Sequence, residues 1–539
     1  VDGGWADPKS LMEEDRRAPE RLTDVRKLSR KYLDAPIGLH VITHGIRGSI
    51  DKQWLAERFD MIDDEAYCFA DPRAAELQTD NLINIMSRHH PRAFKFDWAR
   101  FACDSEDHSG HLAGERFARE AITDNHIKML QALRHAEPDI YLYDAGWHSP
   151  WWLLYYDAVF SGEDDYNVAL TGPPSFSGND LQVTWRDAVI KKNIVDPGDV
   201  FPLNSLMNHS PVSWKWNHDF MQYDGGSLES FSNMILMNYL RGNALVEFFL
   251  NVHNLSPEER GIWGAVTRWA KEHDDILLAD SKYLGGSPFD GEVYGYAHVN
   301  AENRGIVGLR NPSIFDREFA LVLDQKAGFR SGEGLHRVRI SYPYEAELGD
   351  GFMYGDRVKL NLERGQVLVL DVERAGEGGV PPAGRIEYPE SGTVQAQHVD
   401  RKQLTGAMSG EYVFDTGEAV KAQFVLLAET ESYTEQENVS LELRVNGSAV
   451  EFVRNENCSG KEAPKFDFEP HAGWVLMSYA LPGEKSRVEF DLAAPRADVR
   501  GWLMTETPAD RGAGGQTETF ETGLPSRWAT TVKSSVKLF

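Results

Sequence analysis

The decapeptide at residues 92–101, RAFKFDWARF, constrains the fold more than any other stretch. Ala93, Phe94, Lys95 and Phe96 read as a short buried strand that ends on Asp97 and runs into Trp98. Residues two apart in a strand share a face, so Lys95 and Asp97 point the same way. In a (β/α)8 barrel that face is the interior, and the carboxyl end of each strand opens into the mouth. An ordinary surface Lys–Asp pair fits this stretch alone equally well, so the rest of the chain has to decide.

Strand-like and helix-like runs alternate through the first half. VDGGW (1–5) reads as a strand exit. It is followed by GLHVITHG (38–45), AFKFDW (93–98), DIYLYD (139–144), DAVFSGED (157–164), VFPLNSLMN (200–208) and ALVEFFLN (244–251). Helices are expected over residues 16–34, with Leu22, Val25, Leu28 and Tyr32 at helical spacing, and over residues 115–135. In the second, Phe117, Ala121, Ile127, Leu130 and Leu133 are available for the buried face. Ser256, Pro257 and Glu259 form a helix start, with an N-cap, a first-position proline and a third-position glutamate.

Strands alternating with helices imply a parallel sheet. The expected fold is therefore α/β, a (β/α)8 TIM-type barrel over residues 1–285. Seven strand ends precede residue 255, whereas eight close a barrel. On this count the first strand is lacking, and a barrel short of a strand exposes unpaired edges. The expectation is an upstream segment or a second chain that completes it.

After residue 285 the pattern becomes short runs of period two, as in antiparallel β structure. A β-sandwich is expected over residues 286–375, then a Gly/Pro linker, AGEGGVPPAG (375–384). A second β-sandwich module over 385–507 and a polar tail over 508–539 follow.

The net charge of −28 argues against nucleic acid or an anionic membrane as partner. No apolar run is long enough to span a bilayer. The three cysteines, Cys68, Cys103 and Cys458, show no metal-ligand spacing and leave room for one bridge at most. Asp104, Glu106, Asp107, His108 and His111 lack zinc or EF-hand spacing and read as a solvated or substrate-side loop. No metal and no cofactor are expected.

The strand ends carry polar residues: Asp2, His40 and His44, Lys95 and Asp97, Asp144, Glu163 to Asp165, and Asn204, Asn208 and His209. Carboxylates at the ends of buried strands are costly unless used or paired. Two of them facing one another across a barrel mouth are what glycoside hydrolysis needs. Lys95 beside Asp97 would favour an ionised carboxylate, as a nucleophile requires. Apolar packing and a neighbouring anion would favour a protonated Glu163 or Asp164, as a general acid requires.

Four motifs in chain order, VDGGW, FKFDW, VFSGEDD and FPLNSLMNHSPVS, resemble those of the family-36 glycoside hydrolases, the microbial α-galactosidases. The resemblance covers roughly residues 1–290. It implies a retaining, exo-acting α-glycosidase with a carbohydrate substrate and no cofactor. It makes Asp97 the nucleophile and Glu163 or Asp164 the acid/base, and it lines the sugar subsite with Asp2, Trp5, Lys95 and His209. His40, Asp144, Trp147 and Arg186 complete the candidate substrate-binding set. Trp147, Trp151 and Trp152 fit either a stacking platform or core packing.

The departures from the family pattern are Gly3, the run from Asp144 to His148 in place of a Gly-rich loop, and an insertion over residues 166–180. They point away from plain terminal α-galactose, towards an α-galactoside-like or modified sugar. The alternative is a catalytically inactive carbohydrate-binding protein on a decayed barrel. Polysaccharide degradation would suit a periplasmic or secreted setting.

Overall fold

The computed structural model describes residues 5–17, 20–44, 50–63, 66–97, 99–146, 149–160, 172–198, 201–212, 227–243, 245–249, 253–332, 334–376, 394–416, 421–432, 434–456, 473–483 and 485–506. It divides into two compact units. The first comprises residues 1–163 with 205–208, and the second comprises the remainder.

The first unit is built on parallel strands in strict chain order. These are β1 (Gly38–Ile42), β2 (Ala93–Asp97), β3 (Tyr141–Asp144), β4 (Ala158–Phe160) and the start of β5 (Leu206–Val212). The same sheet continues to β6 (Leu245–Phe249). Among the described residues the sheet therefore has six strands, one fewer than the seven strand ends expected. The seventh strand end, VDGGW, lies outside the described residues at 1–4, and Trp5 sits in a bend. The fifth strand begins at Leu206, after a short 3-10 turn over Leu203–Ser205, and not at residue 200 as expected.

Helices α1 (Arg21–Leu33), α2 (Pro72–His89) and α3 (Glu115–Ala136) belong to this unit. Helix α2 starts where its sequence dictates: Asp71 accepts from the Arg73 N–H, and Pro72 fills the first turn. It stops at His90 in the left-handed conformation. Helix α3 buries Ala118, Ile122, His126, Met129, Leu130 and Leu133. Phe117, expected inside, is exposed. The buried stripe runs one position later at the start of the helix, on Ala118 and Ile122, and it includes His126, which the apolar spacing does not mark.

The second unit holds α4 (Gly178–Ile190), α5 (Leu228–Leu240) and α6 (Pro257–Glu272). The capping box expected at Ser256 is present, with Ser256 and Glu259 each bonding the other's backbone N–H. A six-stranded antiparallel sheet follows. Its spatial order is Ala346–Phe352, His336–Tyr342, Val367–Arg374, Gly305–Arg310, Tyr294–Val299, Asp280–Gly285. It packs on the pair Arg317–Val322 and Arg357–Leu362 through Leu309, Leu321, Val338, Leu360 and Leu370. A second antiparallel sheet is organised by the long strands Val394–Asp415 and Lys485–Glu506 around Phe424, Val475 and Phe490.

A buried polar knot joins the helices over residues 178–240 to the antiparallel sheet within the second unit. Asp187 on α4 accepts from Arg241 Nε at 2.6 Å, Tyr296 Oη at 2.7 Å and Tyr294 Oη at 2.7 Å. Arg310 donates to Tyr294 Oη, to Thr184 Oγ1 and to the Asp180 carbonyl. Tyr294, Tyr296 and Arg310 are sheet residues, whereas Thr184 and Asp187 are helical. The last helices of the parallel half and the antiparallel sheet are thus one hydrogen-bonded body.

Candidate active site

The carboxyl ends of β1 and β2 carry the residues that matter. Along β2, Phe94 and Phe96 are fully buried, while Lys95 and Asp97 are half-buried. His40 on β1 pairs in register with Lys95, and Lys95 with Tyr143 on β3. Register partners in a parallel pair project from the same side of the sheet. His40, Lys95, Asp97 and Tyr143 therefore share one face.

On that face His40 Nε2 lies 3.2 Å from Asp97 Oδ2. A carboxylate only accepts, so the imidazole donates from Nε2. Lys95 Nζ lies 6.0 Å from the centre of the Tyr143 ring, a cation–π contact. Trp5 is buried, and its indole N–H donates to the His40 carbonyl at 2.8 Å. Through this bond it braces the strand that carries His40.

Asp144 requires a correction. It pairs in register with Phe96, not with Lys95 or Asp97. Its side chain is buried on the Phe96 side, and Oδ1 accepts from the Gly146 N–H at 2.9 Å. Its charge reaches Tyr156, whose hydroxyl is raised well above the usual tyrosine range, first by burial and then by Asp144. Tyr143, itself buried, takes the place on the Lys95 face that was expected of Asp144. Alternation from Lys95 could have found it, had the register been known.

His44 also turns away from His40. It is fully buried, stacked on Phe69 at 4.4 Å between centroids, with Nδ1 2.9 Å from both the nitrogen and the oxygen of the Arg100 backbone. Burial drives its pKa down to about 3, so the ring is neutral. It belongs to an aromatic cluster with Phe101 and His126, and His126 in turn packs on Phe96, Trp152 and Tyr156.

Arg186 lies on α4 in the second unit, and its side chain is buried. Trp152 is core, while Trp151 stands half-exposed against it in an edge contact. Asp2, Trp147, Glu163 and Asp164 lie outside the described residues. His209 falls on β5, with its side chain outside them.

No family model matches this chain, and no curated protein sequence does. Solved structures do. A variant of the family-36 α-galactosidase AgaA from Geobacillus stearothermophilus, in complex with raffinose, aligns with 70% of this chain at 13% identity and a TM-score of 0.48. Another AgaA variant, bound to 1-deoxygalactonojirimycin, aligns with 69% at 14% identity and a TM-score of 0.46. An α-amylase from Geobacillus thermoleovorans, complexed with acarbose, aligns with 69% of this chain and 84% of its own at 11% identity and a TM-score of 0.45. The alignments cover about half of the galactosidase chains, 51% and 50%.

Proposed function

We propose that the protein is a glycoside hydrolase acting on an α-linked sugar, with Asp97 as its nucleophile. The observation that carries this reading is the Asp97 carboxylate. It stands half-buried at the carboxyl end of a parallel strand and is held at 3.2 Å by His40. The sequence motifs around it add to that reading.

In the proposed double displacement, the carboxylate attacks the anomeric carbon as the bond to the leaving oxygen breaks. Glu163 or Asp164 supplies the proton to that oxygen. Water, deprotonated by the same residue, then attacks the glycosyl-enzyme and releases Asp97. The His40 N–H orients the attacking oxygen, and it is a positioning group. Lys95 offers a cation to the sugar, with the buried Tyr143 ring packed against it. An exo-acting enzyme for an α-galactoside-like or modified terminal sugar is the finer form of this proposal.

A panel of aryl α-glycosides tests it, with proton NMR of the first-formed sugar. Turnover of one of them with retention of the anomeric configuration is the expected result. Binding of sugars without turnover of any would overturn it.

A further inference from the structure

The loop over residues 99–114 leaves β2 just beyond Asp97 and folds against residues 60–71. Ser109 donates twice to Asp60 Oδ2, from its N–H at 3.1 Å and its hydroxyl at 3.2 Å. Gly110 lies so close to the Ala70 carbonyl that a Cβ there would sit 2.1 Å from its oxygen. No residue but glycine fits that approach.

This docking gathers four side chains of ligand type: Cys68 from one segment, and Cys103, His108 and His111 from the loop. One ligand atom from each lies within 4.8 Å of all the others. Both cysteines are buried free thiols. Cys103 Sγ lies 3.3 Å from His108 Nδ1. Bonds of about 2.3 Å to sulfur and 2.0 Å to nitrogen on a tetrahedral zinc would hold two such atoms about 3.5 Å apart.

His111 supplies an independent sign. Its Nδ1 lies 2.8 Å from the Leu112 carbonyl, which can only accept, so the ring proton is on Nδ1. That leaves a lone pair on Nε2, and Nε2 is buried without a hydrogen-bond partner. Metal-binding histidines are oriented in this way, with the second ring nitrogen donating to a backbone carbonyl.

We propose that Cys68, Cys103, His108 and His111 form a tetrahedral zinc site that fastens the loop following Asp97 to the Cys68 segment. Two thiolates and two neutral imidazoles favour zinc over magnesium or calcium, which take oxygen ligands. On binding, both thiols lose their protons to solvent and the dication is neutralised. Four protein ligands leave no open position, so the role is structural. The loop sequence hid the site because one ligand, Cys68, lies 35 residues before the next.

The test is metal analysis of the full chain, purified under reducing conditions without chelator. About one zinc per chain is expected. After chelation, cobalt should reload the site with intense tetrahedral d–d bands and thiolate-to-cobalt charge transfer. Both signals should be lost in Cys103→Ser and in His111→Gln, and the latter carries the test if the former does not fold. A reduced parent that takes up neither metal, or variants that bind as the parent does, would overturn the site. So would a Cys68–Cys103 disulfide whose reduction brings no metal uptake. None of these readouts depends on glycosidase activity.

Discussion

His40 Nε2 and Asp97 Oδ2 meet at 3.2 Å because β1 and β2 pair with His40 opposite Lys95, two residues short of Asp97. The contact is a diagonal one across adjacent parallel strands, and it exists in this register only. A shift of one residue would turn the imidazole to the buried face beside Phe96. The register therefore positions the candidate nucleophile as much as the residue types do.

Removing that contact should slow the reaction without abolishing it. A hydrogen bond to a charged group contributes about 1.5–3 kcal/mol, so His40→Phe should lower kcat roughly 10- to 100-fold. His40→Gln, which retains a donor, should recover part of the loss. Steady-state kinetics on the best aryl glycoside would show it. Equal activity in all three proteins would mean that His40 does not position Asp97.

The acid/base assignment rests on Glu163 and Asp164. In a retaining site their carboxyl group would lie about 5–5.5 Å from that of Asp97, against about 6.5–9.5 Å for inversion. Glu163→Ala and Asp164→Ala should therefore differ: one should lose activity on poor leaving groups and, on an activated aryl glycoside that needs no protonation, be accelerated by azide, which attacks the glycosyl-enzyme and yields a glycosyl azide. If azide rescues neither variant, both assignments are wrong.

Much of this was legible in the sequence. The AFKFD strand, the buried Phe94 and Phe96, the alternation behind the parallel sheet and the Ser256–Glu259 cap all follow from local pattern and chemistry. What was not legible depends on register or on distant partners. Asp144 looked mouth-facing because it ends its strand as Asp97 does, but pairing with Phe96 puts it on the other side. Helices α4 and α5 escaped notice because nearly every residue in them is buried, which leaves no polar face to mark a period. Asp187 gave no sign that Arg241, Tyr294 and Tyr296 converge on it from 54 and more residues away.

That convergence gives a prediction about stability. Removing one partner of a buried ion pair strands the other charge and costs about 3–5 kcal/mol. Asp187→Ala should destabilise the second unit by this order, while Tyr294→Phe should cost about 1–2 kcal/mol. Denaturant unfolding monitored by tryptophan fluorescence would measure both. A cost for Asp187→Ala below that of Tyr294→Phe would remove Asp187 from the centre of the knot.

Acid sensitivity follows from the buried histidines. Burial lowers His44 to about 3 and His298 to about 4, from 6.5. Because the folded values lie below the unfolded one, their stabilisation is complete above about pH 6.5 and declines as pH falls towards the folded values. Each histidine should contribute a loss on the order of 1.4 kcal/mol per pH unit within that window. Unfolding midpoints should fall between about pH 6.5 and 4.5, and His44→Gln should flatten the slope. A stability unchanged over that range would show that these rings are not buried neutral.

The most direct measurement is the turnover of Asp97→Asn on an aryl α-glycoside that the parent hydrolyses. The substitution keeps size and hydrogen bonding to His40 but removes the attacking oxygen's charge. The account predicts a loss of roughly 10⁴-fold or more, with circular dichroism and sugar affinity largely unchanged. A variant whose turnover stays within about tenfold of the parent would contradict the assignment of Asp97 as nucleophile, and the proposed mechanism with it.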